Sequence, residues 1–167
     1  MGSLSEKEKE FVEVYEKYAD SVFRHCIFRV SDREKAKDLV QETFVKTWAY
    51  INAGNEVSNL KAFVFKVARN LIIDHYRRSK EISLDVLREA GFDRATDNEN
   101  EIFANAEHSQ VIKALDKIKP KYKEMIILRF MEGLSPREIS EITGVSENVV
   151  SVRIHRAVKK LKDKLNP

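Results

Sequence analysis

The stretch "GLSPREISEITGVSENVVSVRIHRA", residues 133–157, decides the fold of the C-terminal part of the chain because it holds two helical patterns around a glycine. Ser135 and Glu138 have the spacing of a capping box, which satisfies free amides at a helix start. Gly144 predicts a sharp turn, since glycine readily takes a left-handed conformation. Ser146 is the predicted cap of the second, longer helix. A short helix, a tight turn and a longer helix predict a helix-turn-helix motif.

The second helix of this motif is a candidate for contact with DNA. Val150 and Ala157 belong to a predicted buried stripe, so Asn148, Ser151 and His155 lie on the opposite face. A helix start also offers amides and short polar side chains to phosphates and base edges. The alternative that this stretch alone leaves open is an ordinary helical hairpin with a solvated basic face.

Helical periodicity also dominates the N-terminal half of the chain. Apolar stripes recur at helical spacing over residues 11–22, 36–51 and 60–72. The first two follow predicted capping boxes, at Ser5–Glu8 and at Ser31–Glu34. No strand pattern is present. We therefore predict an all-α protein with two small helical domains, an N-terminal helical bundle and a C-terminal four-helix domain that contains the helix-turn-helix.

An acidic segment separates two basic parts of the chain. Glu81–Glu107 holds eight anions and two cations, and cations outnumber anions on both sides of it. Helical periodicity fades over the same segment, which is rich in polar and charged residues. We expect an acidic flexible linker at residues 81–105, between domains at residues 5–80 and 106–167.

Composition argues against several classes of protein. A single cysteine, Cys26, excludes an intrachain disulfide and favours a reducing compartment. The four histidines are scattered without metal-ligand spacing, and no glycine-rich phosphate loop or nucleophile signature is present. No apolar run approaches the length of a membrane span. We therefore predict a cytoplasmic protein that is not an enzyme and has no catalytic residue, cofactor or metal.

Three stretches resemble segments of bacterial RNA polymerase sigma factors. "DREKAKDLVQETFVKTW", residues 32–48, resembles the helix that binds core polymerase. "NLKAFVFKVARNLIIDHYRR", residues 59–78, resembles the segment that engages the −10 promoter element. Residues 114–161 resemble the domain that binds the −35 element. Their order and spacing and the chain length are similar to those of the extracytoplasmic-function (ECF) subfamily of the sigma-70 family.

This resemblance implies a transcription initiation factor that binds core RNA polymerase and directs it to specific promoters. The implied partners are the clamp helices of the largest polymerase subunit, the flap region, promoter DNA and an anti-sigma factor. We also expect a monomer when free, with no membrane insertion. The linker would thread toward the active-site channel of the polymerase.

The resemblance assigns residues to three interfaces. Core polymerase would be bound by Asp38, Leu39, Gln41 and Glu42. The melted −10 strand would be held by Asn52, Asn55, Asn59, Lys66, Arg69, Asn70, Asp74, Tyr76, Arg77 and Arg78. The −35 duplex would be bound by Ser135, Arg137, Ser146, Glu147, Asn148, Ser151, Arg153, His155, Arg156 and Lys159.

Several of these residues have a structural alternative. Asn52, Asn55 and Asn59 fit ordinary turn chemistry nearly as well as base contacts. Asp74 is alternatively an ion-pair partner of Arg77 or Arg78, and Tyr76 either stacks on a base or packs on the linker. Spacing puts the polar residues of the polymerase-binding helix on the side away from Val40, Phe44 and Trp48, and we assign the two aromatic residues to the core.

The sequence departs from the family pattern at the start of the last helix. The family favours a threonine, a lysine or arginine, and a serine where this chain has Val149, Ser151 and Val152. Phe63 also replaces a common tryptophan. The usual −35 preference is therefore not carried over. The main rival function is a stand-alone helix-turn-helix regulator that binds an operator as a dimer, but the chain has neither an effector domain nor a heptad seam.

Overall fold

The computed structural model describes the backbone of residues 2–89 and 106–167, and the side chains of residues 2–82 and 110–167. Within these ranges the chain forms helices and their connections and no strand. It divides into an N-terminal unit and a C-terminal unit, each with its own core. The prediction of an all-α protein with two helical domains is confirmed.

The N-terminal unit is a bundle of three helices, α1 (Glu6–Val30), α2 (Arg33–Asn52) and α3 (Leu60–Glu89), each of which packs on the other two. The predicted capping box at Ser5 is present, because the Ser5 hydroxyl accepts from the Glu8 amide and the Glu8 carboxylate accepts from the Ser5 amide.

The predicted box at Ser31–Glu34 is wrong. Ser31 ends α1 in the left-handed region, with φ 54°, and Asp32 caps α2 by accepting from the Lys35 amide at 3.1 Å. A carboxylate one residue later in the chain competes successfully for the capping position, since aspartate caps helices as well as serine does.

The predicted domain boundary at Lys80 falls inside α3, whose backbone continues to Glu89. The sequence contains no glycine or proline between Lys80 and Gly91 that would end the helix earlier. The remainder of the predicted linker, residues 90–105, lies outside the described residues.

His25 is a fully buried titratable group in the N-terminal core. Its ring lies edge-on to Phe65 with 5.7 Å between the ring centroids, and neither ring nitrogen has a hydrogen-bond partner among the described residues. Burial, with the positive charges of Arg29 and Arg69 nearby, lowers the pKa of His25 to about 3. The folded N-terminal unit therefore holds this imidazole neutral at physiological pH.

We expect His25 to destabilise the N-terminal unit under mild acid. The pKa falls from 6.5 to about 3 on folding, so the unfolded chain takes up the proton first and stability is lost as pH falls from 6.5 toward 3. Between pH 7 and pH 5 the loss from this group is about 2 kcal/mol. Urea unfolding of the wild type and of His25→Leu at both pH values measures it. An equal loss in the two proteins would contradict the prediction.

The C-terminal unit contains α4 (Ala106–Asp116), α5 (Pro120–Ile126), α6 (Pro136–Thr143) and α7 (Glu147–Leu165). A π-helical segment, Ile127–Met131, continues α5. The helices α4, α5 and α6 all pack against α7, which is the central element of this unit. Its core includes the fully buried residues Met125, Ile127, Leu128, Leu134, Ile139 and Val150.

Candidate nucleic-acid and protein interfaces

The helix-turn-helix is formed by α6, α7 and the turn between them. Ser135 and Glu138 cap each other's amides at 3.1 and 3.3 Å, as predicted. Gly144 takes the left-handed conformation, with φ 76°, and ends α6. The Ser140 hydroxyl donates to the Val145 carbonyl at 2.6 Å and holds the turn closed. These local interactions fix the start of α7 relative to α6.

One face of α7 is exposed along its length. Ser146 caps the helix by accepting from the Val149 amide, while Val150 and Ala157 are fully buried against the other helices. The predicted −35 residues that are exposed on this unit are Arg137, Ser146, Glu147, Asn148, Ser151, His155, Arg156 and Lys159. Ser135 and Arg153 are half-buried, and the capping box already occupies the hydroxyl of Ser135.

Two valines interrupt the polar face of α7. Val149 and Val152 are 39% and 48% exposed, at the positions where the sequence departs from the family pattern. Exposed methyl groups at a helix that enters a major groove can contact the methyl group of thymine. The two valines therefore change the chemistry of the exposed face of α7 and leave the core of the C-terminal unit unchanged.

The predicted polymerase-binding residues of α2 do not all lie on its surface. Asp38, Gln41 and Glu42 are exposed, but Leu39 is 7% exposed and belongs to the core. The resemblance includes Leu39 among the polymerase-binding residues, and the structure turns its side chain into the core of the bundle. Helical geometry explains the difference, because the residue next to an exposed aspartate turns by about 100° toward the bundle.

An apolar groove runs between α1 and α2 beside these polar residues. It is lined by Phe11, Tyr15, Phe23, Lys37, Val40, Gln41, Phe44, Val45 and Trp48. Gln41 therefore shares this groove with the apolar residues from which its spacing was expected to separate it. Phe44 is buried as predicted, but Trp48 is only half-buried, with its ring centroid 5.1 Å from that of Phe11. Sequence reasoning missed Val45, which is 62% exposed.

The asparagines predicted to contact the melted −10 strand near the loop between α2 and α3 differ in the contacts of their side chains. The Asn55 amide donates to the Tyr50 carbonyl at 3.0 Å, and the Asn59 carbonyl oxygen accepts from the Ala62 amide at 3.0 Å. Both side chains thus shape the turn, as the structural alternative stated. Asn52 is exposed at the end of α2.

The predicted −10 residues of α3 lie on two sides of the helix. Lys66, Asn70, Asp74 and Arg77 recur at three- or four-residue spacing, so they share one exposed face. Arg69 is half-buried. Among the described residues Asp74 forms no ion pair with Arg77 or Arg78, so the alternative that Asp74 is their ion-pair partner is not supported.

Sequence reasoning did not identify an aromatic pair beside the loop. The rings of Tyr50 and Phe63 pack together in a tilted arrangement, with 4.7 Å between ring centroids and 31° between ring planes, and Tyr50 is 41% exposed. Tyr76, which is 46% exposed, instead lies edge-on to the neighbouring His75. The pair joins residues 13 positions apart on different helices, so periodicity within one helix gives no signal for it.

Two families match the two units separately. Sigma-70 region 2 matches residues 14–82, and sigma-70 region 4 matches residues 108–161. The chain is 30% identical over 149 residues to the RNA polymerase sigma factor SigV of Bacillus subtilis, covering 86% of this chain and 83% of that protein. The chain belongs to the ECF group of the sigma-70 family.

Other sigma factors support this assignment. The ECF sigma factor BldN of Streptomyces coelicolor is 27% identical over 155 residues, which cover 90% of this chain and 58% of BldN. The sigma factor RpoE of Bartonella quintana, solved in complex with the anti-sigma factor NepR, superposes with a TM-score of 0.79 at 26% identity over 94% of this chain and 97% of RpoE. The structure of CnrH in complex with the cytosolic domain of CnrY, at 24% identity and a TM-score of 0.71 over 95% of this chain and 88% of that one, supports the fold alone.

As a sigma factor, the protein is a transcription initiation factor that directs RNA polymerase to promoters. The rival, a stand-alone dimeric regulator, is not favoured because the N-terminal unit is a sigma-70 region 2. Across residues 2–89 and 106–167, no helix is long and apolar enough to cross a membrane. Within the same ranges no three or more histidine, cysteine, aspartate or glutamate side chains are grouped to hold a metal ion.

Proposed function

We propose that this sigma factor uses three separate exposed surfaces: the outer face of α2 for core polymerase, the exposed side of α3 for the melted −10 strand, and the exposed face of α7 for the −35 duplex. The observation that carries the proposal is the face of α7, because its exposed polar residues follow a capped helix start within a region 4 match. The other two surfaces lie within the region 2 match.

The polymerase surface consists of Asp38, Gln41 and Glu42 together with the adjoining apolar groove. Carboxylates beside exposed apolar side chains suit a helical partner with a basic and an apolar side. The clamp helices of the largest polymerase subunit are the proposed partner of this surface, and the flap region is the proposed partner of the C-terminal unit.

The −10 surface consists of the cations and the amide on α3, with Tyr50 and Phe63 beside the loop. A melted strand presents phosphates and base faces together, so cations and stacked aromatic rings are suitable contacts for it. Asn52 is the proposed loop contact, while Asn55 and Asn59 act by holding the loop in shape.

The −35 surface should separate into residues that contact bases and residues that contact phosphates. We expect Asn148→Ala to relax the preference at one or two −35 positions by about 1–3 kcal/mol, because a bidentate amide contact to a base is lost. Lys159→Gln should weaken binding equally on all sequences and lower the salt dependence by about one phosphate contact. Holoenzyme binding to promoters with single-base changes measures both effects. A uniform loss from Asn148→Ala would assign that residue to the phosphate backbone.

An anti-sigma factor is the proposed regulator. The support is the solved structure of RpoE with NepR, which covers 94% of this chain. The exposed apolar groove between α1 and α2 supports the same proposal, since a contiguous exposed apolar surface marks a site where a protein partner binds.

We propose further that the protein acts in the cytoplasm and catalyses no reaction itself. Burial raises the pKa of the Cys26 thiol to about 12, against the opposing effect of Arg29, so this thiol stays protonated and is a poor nucleophile. The acidic segment at residues 90–105, outside the described residues, is proposed to enter the active-site channel of the polymerase. Replacing its acids with serine should impair initiation, and unchanged run-off yields would reject that role.

A further inference from the structure

Tyr122, at the start of α5, is surrounded by cations in the C-terminal unit. Its side chain is 7% exposed, and the Lys160 and Lys121 ammonium nitrogens lie 5.2 and 5.0 Å from its ring centroid. A hydrogen bond from the Arg156 guanidinium to the tyrosine hydroxyl is among the causes that lower the pKa of Tyr122. One aromatic side chain from α5 therefore contacts two cations of α7 and one of its own helix.

These cations have no anionic partner within the part of the chain that the structure describes. No carboxylate there forms an ion pair with Lys121, Arg156 or Lys160. The pKa of Tyr122 is lowered even though burial acts to raise it, because Lys121, Lys160 and Arg156 outweigh burial. Like charges held close together repel each other, and a bound anion would relieve that repulsion.

The position of the cluster on α7 indicates which anion binds. Arg156 and Lys160 are one turn apart, on the flank between the exposed face of α7 and α5. Asn148 and His155 lie on the adjoining exposed face. A helix that enters the major groove has a phosphate backbone on each side, so cations on its flank meet phosphates rather than bases.

We propose that Tyr122 is a positioning residue that holds Arg156 and Lys160 against the phosphate backbone of the duplex that α7 contacts. The ring supports Lys160 through its face, and the hydroxyl orients Arg156. The contact strengthens binding without distinguishing sequences. This inference rests on the proposed contact of α7 with duplex DNA.

The test is a salt titration of promoter binding by holoenzyme that contains the wild type, Tyr122→Phe, Arg156→Gln or both substitutions. Tyr122→Phe keeps the ring and removes only the hydroxyl. We expect a loss of about threefold to tenfold in affinity and a decrease of about 0.9 in the slope of log affinity against log salt, the value of one phosphate contact. The ranking of promoter sequences should not change. Because Tyr122 acts through Arg156, its substitution should cost nothing further in the Arg156→Gln background.

Matched controls separate this role from a merely structural one. Lys113→Gln removes an exposed cation of α4 outside the cluster and should keep the wild-type ranking, with a smaller change in affinity than Tyr122→Phe. An unchanged slope for Tyr122→Phe, or an equal loss in the Arg156→Gln background, would overturn the inference. If Tyr122→Phe weakens the binding of polyglutamate and leaves DNA binding unchanged, the inference is overturned too, because an acidic polypeptide would then be the ligand. If wild-type holoenzyme shows no preference for any promoter, it is the proposed function that fails.

Discussion

Initiation is expected to fall at least tenfold when Asp38 and Glu42 of α2 are both replaced by lysine. The two carboxylates are exposed on the proposed polymerase surface, and Glu42 forms only a long ion pair with Lys46, at 4.0 Å. Reversing both charges would place like charges against the basic side of the partner helix, which costs several kcal/mol at an interface. Affinity for core polymerase should decrease on the order of 100-fold.

The control for this prediction carries the same change in net charge elsewhere. Glu13 and Asp20 are exposed on α1, so Glu13→Lys with Asp20→Lys makes the chain equally more basic without altering α2. Binding to fluorescently labelled core polymerase, followed by run-off transcription, compares the two double variants. Equal losses in both would mean that net charge matters and that the face of α2 does not.

Phe65→Ala is expected to destabilise the N-terminal unit by about 3–5 kcal/mol, the cost of emptying a fully buried phenylalanine site. Phe65 is 0% exposed and supports the ring of His25, whose nitrogens depend on apolar surroundings to stay neutral. A loss of this size approaches the whole stability of a small helical domain. Polymerase binding and −10 capture should therefore be lost together at growth temperature.

Chemical denaturation followed by circular dichroism measures this loss. Phe130→Ala is the matched control, since Phe130 is 59% exposed in the C-terminal unit and its removal should cost less than about 0.5 kcal/mol. A similar, small effect for both variants would contradict the assignment of Phe65 to the core that holds the bundle together.

Most of what the sequence predicts about the fold comes from local signals that mark where helices begin and end. The capping boxes at Ser5 and Ser135 and the left-handed Gly144 were all identifiable from residue type and spacing. The predicted box at Ser31 is wrong because Ser31 and Asp32 are adjacent and cap helices about equally well, so residue type and spacing do not choose between them. The predicted domain boundary at Lys80 lies inside α3 because it rests on fading periodicity, which is a weaker signal of a helix end than a glycine or a proline.

The candidate interfaces were predictable as segments but not residue by residue. Leu39 lies within a polar motif, and only the packing of three helices shows that its side chain turns inward. The cluster around Tyr122 joins residues 34 and 38 positions away in the chain, on a helix that meets α5 only in the folded unit. Contacts between helices of this kind leave no pattern in a single sequence.

The most direct test of the central claim is run-off transcription from a random DNA library with purified core polymerase, with and without this protein, followed by sequencing of the transcripts. We expect a defined pair of −35 and −10 sequences upstream of starts that occur only when the protein is present. Polymerase that starts at the same sites with and without it, together with no binding of the protein to core polymerase, would contradict the assignment as an initiation factor.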